Sequence, residues 1–179
     1  ELLDWIWGFA VLQGANASPY DAAGALRGLR TLGVRLRHQS ASASQLAAAL
    51  EADPRVAEVR YPGLASHPQH DLARRQMRLS GGQLTFDLVG GAEAGERFVE
   101  STRICRLAPS LGGPETLVTH PASSTHVGLL PEELTAAGIG PGTIRMSVGL
   151  EDPDDVLADV RAALDAIDAD GSARAGTPA

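Results

Sequence analysis

Apolar positions along this chain follow two periods, and the change of period marks its organisation. From Val34 to about Ala52 they return every three or four residues, with Leu36, Ala43, Leu46, Ala47 and Leu50 on one face, which predicts a long helix. Asp53-Pro54 ends it, because the residue before a proline avoids helical geometry. Ahead of it, Ser18 suits an N-cap, Pro19 the first turn and Asp21 a capping-box-like partner, so a helix is predicted to about Leu32, with Gly33 interrupting.

Beyond Pro54 the period shortens. Val56 to Tyr61 reads as a strand, Gln69 to about Arg78 as a helix, and Gln83 to Val89 alternates with Leu84, Phe86 and Leu88 on one side. Ala92 to Ser101 reads as a helix, Ile104 to Leu107 and Glu115 to Thr119 as short strands, Pro131 to Ala137 as a short helix stopped by Gly138, and Thr143 to Val148 as a strand. The final helix has the clearest signals: Asp152 caps it, Pro153 opens it, and Val156, Val160, Ala163, Leu164 and Ile167 form its apolar stripe. The pattern therefore predicts a helical arm over residues 1–53 and an α/β domain over 54–168, its sheet covered by helices on one face. A Gly-, Ser-, Ala- and Arg-containing tail over 169–179 has the composition of a disordered segment.

Charge and composition narrow the function classes. The chain has no lysine; its 15 basic residues are all arginine, and the formal net charge is −7. Nucleic-acid binding needs a basic footprint, and the densest cluster, Arg74, Arg75 and Arg78, fits a solvated helix face, with phosphate or partner binding as the lesser reading. One cysteine, Cys105, allows no intrachain disulfide and agrees with a cytoplasmic, reducing setting; its apolar neighbours suit a buried structural thiol. The apolar run Leu2 to Leu12 is too short to span a bilayer. Ala15-Asn16-Ala17 imitates a signal-peptidase site, but Asp4 interrupts the run and no basic leader precedes it. Trp5, Ile6, Trp7, Phe9 and Leu12 form an apolar cluster expected to bury against a second copy or to be poorly ordered. His67, His70, His120 and His126 match no zinc spacing, so no metal site is expected. Gly90 to Gly95 departs from a dinucleotide fingerprint and reads as a turn.

Two segments could hold chemistry. Ser110-Leu111-Gly112-Gly113 is either a simple turn or a loop whose backbone approaches a ligand closely. In Ile144-Arg145-Met146-Ser147-Val148-Gly149, alternation sends Ile144, Met146 and Val148 to the core and Arg145 and Ser147 to the other side. There Arg145 is either a carboxylate clamp or half of a surface salt bridge.

Taken together, Ser110-Leu111-Gly112-Gly113 with Glu115-Thr116-Leu117, then His120-Pro121-Ala122 with Thr125-His126, then Ile144-Arg145 with Ser147 to Asp152, form an ordered set. Ala25 to Leu32, Val34 to Arg37, Tyr61 to Leu64, Ser66 to Pro68 and Gly81-Gly82 belong to the same set, whose likeness extends over about residues 8 to 167. The set closely resembles the C-terminal domain of the Cys/Met-metabolism (trans-sulfuration) pyridoxal phosphate enzymes, which include cystathionine γ-synthase, cystathionine lyases, methionine γ-lyase and homoserine sulfhydrylases.

The resemblance implies the small C-terminal domain of a fold-type I pyridoxal-phosphate enzyme. It implies β- or γ-elimination or γ-replacement on a sulfur-containing or O-acylated homoserine-type amino acid. It implies a homo-oligomer, with pyridoxal 5′-phosphate held mainly by a domain upstream. Arg145 would bind the substrate α-carboxylate, Ser110 and Leu111 would lie in the loop beside it, and Thr125 would lie near the pocket. The Schiff-base lysine of the family has no counterpart here, so no catalytic residue is assigned and the isolated chain is expected to be inactive. A non-catalytic binding or dimerisation module of the same fold is the alternative. Most γ-specific relatives carry glutamate where this chain has Pro109, which replaces a polar substrate contact with an apolar ring.

Overall fold

A computed structural model describes residues 1–14 and 16–175, with side chains to Ile167. It separates into two compact units, Glu1–Val34 and Arg35–Ala179.

The first unit holds α1 (Leu2–Gln13) and the beginning of α2 (Pro19–Glu51). α1 is apolar on every side and buries none of its residues; Trp5 and Trp7 are 76% and 72% exposed. α2 opens as its sequence predicts. The Asp21 amide donates to Ser18 Oγ at 3.2 Å, and the Ser18 amide donates to the Asp21 carboxylate at 2.9 Å, a reciprocal capping box. The interruption expected at Gly33 does not occur: α2 runs unbroken for 33 residues. One glycine costs a helix interior about 1 kcal/mol relative to alanine, too little to break a run that is well capped and later well packed.

The second unit is a five-stranded mixed sheet with helices packed on one face. Its strands are β1 (Val56–Arg60), β2 (Gln83–Leu88), β3 (Arg106–Leu107), β4 (Leu117–Thr119) and β5 (Thr143–Ser147), in the spatial order β1-β2-β5-β4-β3. All neighbours are antiparallel except β3 and β4. Leu84, Phe86, Leu88, Val118, Ile144 and Met146 project to one face. There they meet Ala43, Leu46, Ala47 and Leu50 of α2, Phe98 and Val99 of α4 (Gly91–Ser101), and Val156, Val160 and Leu164 of α6 (Pro153–Ala175). Phe86 and Phe98 pack edge to face with centroids 5.4 Å apart, worth about 0.5–1.5 kcal/mol beyond their buried area.

Most boundaries fall within a residue or two of the sequence pattern; three differences stand out, two of them for a visible reason. β3 begins at Arg106 and not Ile104, because the amides of Arg103, Ile104 and Cys105 donate to the Asp159 carboxylate instead of to a strand. β4 begins at Leu117, because the Thr116 amide is taken by Glu151 Oε1 at 2.7 Å. α6 continues to Ala175, past the end expected at Asp168; the last part of the expected disordered tail, 176–179, lies outside the described residues. The shorter elements, α3 (His70–Gln76) and α5 (Pro131–Ala136), fall where predicted, and Gly138 follows α5 at φ 71°. Among the described residues no helix is long and apolar enough to cross a membrane.

Candidate functional site

On the face of the sheet away from the helices, one row of side chains crosses four strands: Arg60, Thr85, Arg145 and Thr119 are successive register partners. At the β1 end, Arg60 pairs with Asp87 and Glu58. At the β5 end, Arg145 has no such partner. Among the described residues no carboxylate pairs with it, and Nη2 donates only to neutral oxygens: the Pro109 carbonyl at 2.7 Å, the Ser110 carbonyl at 3.0 Å and Thr119 Oγ1 at 3.3 Å. The surface-salt-bridge reading of Arg145 thus gives way to a cation held by backbone carbonyls. Its Nε–H is buried without an acceptor. Such a donor costs about 1–3 kcal/mol when left unsatisfied, more on a charged group. A bidentate anion is the partner that a guanidinium with spare donors and no counter-charge fits best.

The loop from Ala108 to Thr116 is tethered along most of its length. Gly112 donates its amide to Ser147 Oγ at 3.0 Å, and Gln39 Nε2 of α2 donates to the Gly113 carbonyl at 2.8 Å. The Leu150 amide donates to the Pro114 carbonyl at 2.7 Å. The Thr116 hydroxyl donates to Glu151 Oε2 and accepts from the Gly149 amide. Gly112 takes φ 73°, a left-handed conformation that glycine adopts without strain. Leu111, at the apex, is 61% exposed.

The structure brings Arg145 and Ser110 together and places Leu111 on the same loop. Thr125 lies on a separate exposed segment, its hydroxyl hydrogen-bonded to His126 Nδ1 at 2.8 Å. His120 is buried under Gly95: Nε2 donates to the Pro141 carbonyl at 2.7 Å, because a carbonyl only accepts, and Nδ1 is hydrogen-bonded to Ser123 Oγ at 2.7 Å. That arrangement makes it a structural histidine. Cys105 is buried, and burial with the nearby Asp159 carboxylate raises its thiol far above the ordinary range.

Sequence reasoning missed Gln39 and Thr119. Gln39 had a signal: it lies four residues before Ala43 and seven before Leu46, a polar residue at a core-facing position of α2. Thr119 had none, since its part depends on the pairing of β4 with β5.

The family model for Cys/Met metabolism PLP-dependent enzymes matches residues 6–165. The chain belongs to this family. L-methionine gamma-lyase of Pseudomonas putida is 48% identical over 159 residues, covering 89% of this chain and 40% of that protein. O-succinylhomoserine sulfhydrylase of Pseudomonas aeruginosa is 44% identical over 167 residues, covering 93% and 41%. Among solved structures, cystathionine gamma synthase of Xanthomonas oryzae pv. oryzae, in complex with aminoacrylate and cysteine, matches with a TM-score of 0.83 and 45% identity, over 90% of this chain and 42% of that one. The chain thus spans about two fifths of the length of the relatives it matches.

The cofactor on which the family depends is pyridoxal phosphate. This chain has no lysine to bond its aldehyde carbon. The spare donors of Arg145, surrounded by neutral oxygens, fit an amino-acid carboxylate and supply no covalent anchor for the cofactor.

Proposed function

We infer that this chain is the C-terminal, substrate-carboxylate-binding part of a pyridoxal-phosphate-dependent sulfur amino-acid enzyme. The reaction class is β- or γ-elimination, or γ-replacement, on a sulfur-containing or O-acylated homoserine-type amino acid. The observation that carries this reading is the uncompensated Arg145 cation beside the Ser110 loop, with a buried donor still unused. When bound, the cofactor supplies the electron sink for the reaction. The residues of this chain bind and orient: Arg145 would grip the carboxylate and so fix the orientation of the amino acid about Cα. Ser110 and Leu111 form the loop wall beside it, and Thr125 would lie near the pocket. The covalent anchor comes from a domain upstream, in a cytoplasmic homo-oligomer.

In this assignment residues 1–53 end the large domain and link it to the α/β domain that follows. The 179-residue chain by itself is inactive. The lack of lysine also supports a second reading, in which the chain serves alone as a non-catalytic binding or dimerisation module. A visible absorbance band on adding pyridoxal phosphate to the chain would oppose that second reading.

The test of the first reading is Arg145→Ala in an enzyme carrying this chain. The expected result is a large rise in KM for the amino acid with a smaller change in kcat. Unchanged constants would overturn the role of Arg145.

A further inference from the structure

The guanidinium of Arg145 is held by the carbonyls of Pro109 and Ser110, and those carbonyls belong to a loop that is itself held by other side chains. Two of those side chains stand out. Ser147 lies two residues along β5 from Arg145, on the same face, and is 1% exposed; its Oγ accepts the Gly112 amide. Gln39 comes from α2, far away in sequence, and is 3% exposed; its amide reaches the Gly113 carbonyl. The side-chain end of each bond is buried, which limits the ways in which water can replace it. Gly82 fixes Gln39 in turn: a Cβ at Gly82 would stand 3.0 Å from Gln39 Cβ, and the Gly82 carbonyl accepts the Val148 amide immediately after Ser147.

The chain of restraint runs in one direction. Gln39 and Ser147 fix Gly113 and Gly112. Those residues fix the carbonyls of Ser110 and Pro109. The carbonyls hold Nη2 and so set the plane of the guanidinium. A carboxylate pairs bidentately only with a guanidinium whose plane is already set, because the two hydrogen bonds share that plane. Loosening the loop would leave Arg145 in place on β5 and let its plane wander.

We propose that Ser147 and Gln39 are positioning residues for carboxylate recognition, immobilising the Gly112-Gly113 turn so that the Pro109 and Ser110 carbonyls lock the Arg145 guanidinium. The proposal rests on the carboxylate reading of Arg145 for its purpose, but the locking itself is measurable without ligand.

The experiment uses the 179-residue chain, labelled with nitrogen-15. The Arg145 Nε–H resonance is identified by its loss in Arg145→Lys, and its exchange with solvent is followed together with that of the Gly112 amide. Ser147→Ala removes the acceptor of the Gly112 amide. Gln39→Met keeps the volume and removes the donor to Gly113. In each variant the Arg145 Nε–H should exchange about tenfold faster, at an unfolding midpoint close to that of the parent. In Ser147→Ala the Gly112 amide should lose its protection as well. A parental Nε–H exchange rate in a folded variant overturns the assignment for the residue changed. Failure of both variants to fold overturns the proposal as a whole, since the two side chains would then serve the fold. Arg145→Ala in an enzyme carrying this chain judges the carboxylate reading separately: an unchanged KM for the amino acid defeats that reading, while the exchange rates still decide the locking.

Discussion

Gly149 and Pro114 approach so closely that no side chain fits between them: a Cβ on Gly149 would stand 2.3 Å from the Pro114 carbonyl oxygen and 2.5 Å from the Glu115 carbonyl carbon. Both obstacles are backbone and cannot rotate away. The contact pins the far end of the Ser110 loop to the chain just after β5. Gly149→Ala is therefore expected to push the loop out of register and to destabilise the fold by about 1–3 kcal/mol, as overpacking does. Denaturant unfolding of parent and variant measures the loss.

Asp159 accepts hydrogen bonds from three consecutive amides at 2.8–3.0 Å and is 8% exposed. Asp159→Asn keeps the shape but turns one acceptor into a donor facing N–H groups. Hydrogen bonds to a charged group are worth about 1.5–3 kcal/mol each, so the variant should lose stability on that order. A thermal melt within the error of the parent would remove Asp159 as the anchor of residues 103–105.

Cys105 should not react with thiol reagents in the folded chain. It is buried, and its thiol is pushed far above the usual range, so almost no thiolate is present near neutral pH. Colorimetric thiol titration should give no signal before unfolding and one thiol per chain in guanidinium chloride.

Asp53 accepts from Arg55, whose guanidinium lies 2.7 Å away and holds the carboxyl below the usual carboxylate range. A group depressed in the folded state stabilises it above the unfolded pKa of about 3.9, and that stability fades as pH falls through the folded value. Asp53→Asn should therefore be less stable than the parent at pH 7, and the gap should close between about pH 4 and the lower folded pKa. Paired denaturation curves across that window check the sign.

How far the fold could be read from sequence depended on whether each signal was local. The cap at Ser18, the alternation of Leu84, Phe86 and Leu88, and the stripe of α6 are all set by residues within a few turns of each other, and all appear as read. The start of β3 was misread because Asp159, more than fifty residues away, claims its amides. At the site, the face on which Arg145 lies followed from alternation alone, and its meeting with the Ser110 loop was expected from the family motifs. Gln39 and Thr119 were not, since a hydrogen bond to a distant carbonyl leaves little periodic trace in a sequence.

β5 is the last strand along the chain and the middle strand of the sheet. It must insert between β2 and β4, whose partners are made earlier, so the sheet closes only when residues 143–147 arrive. During synthesis, a ribosome that stops short of this strand releases open sheet edges and a chain without Arg145. The step that zips the sheet shut is also the one that brings Arg145 to the Pro109 and Ser110 carbonyls. The unpaired edges of a half-made copy mark it for association with other chains or for removal.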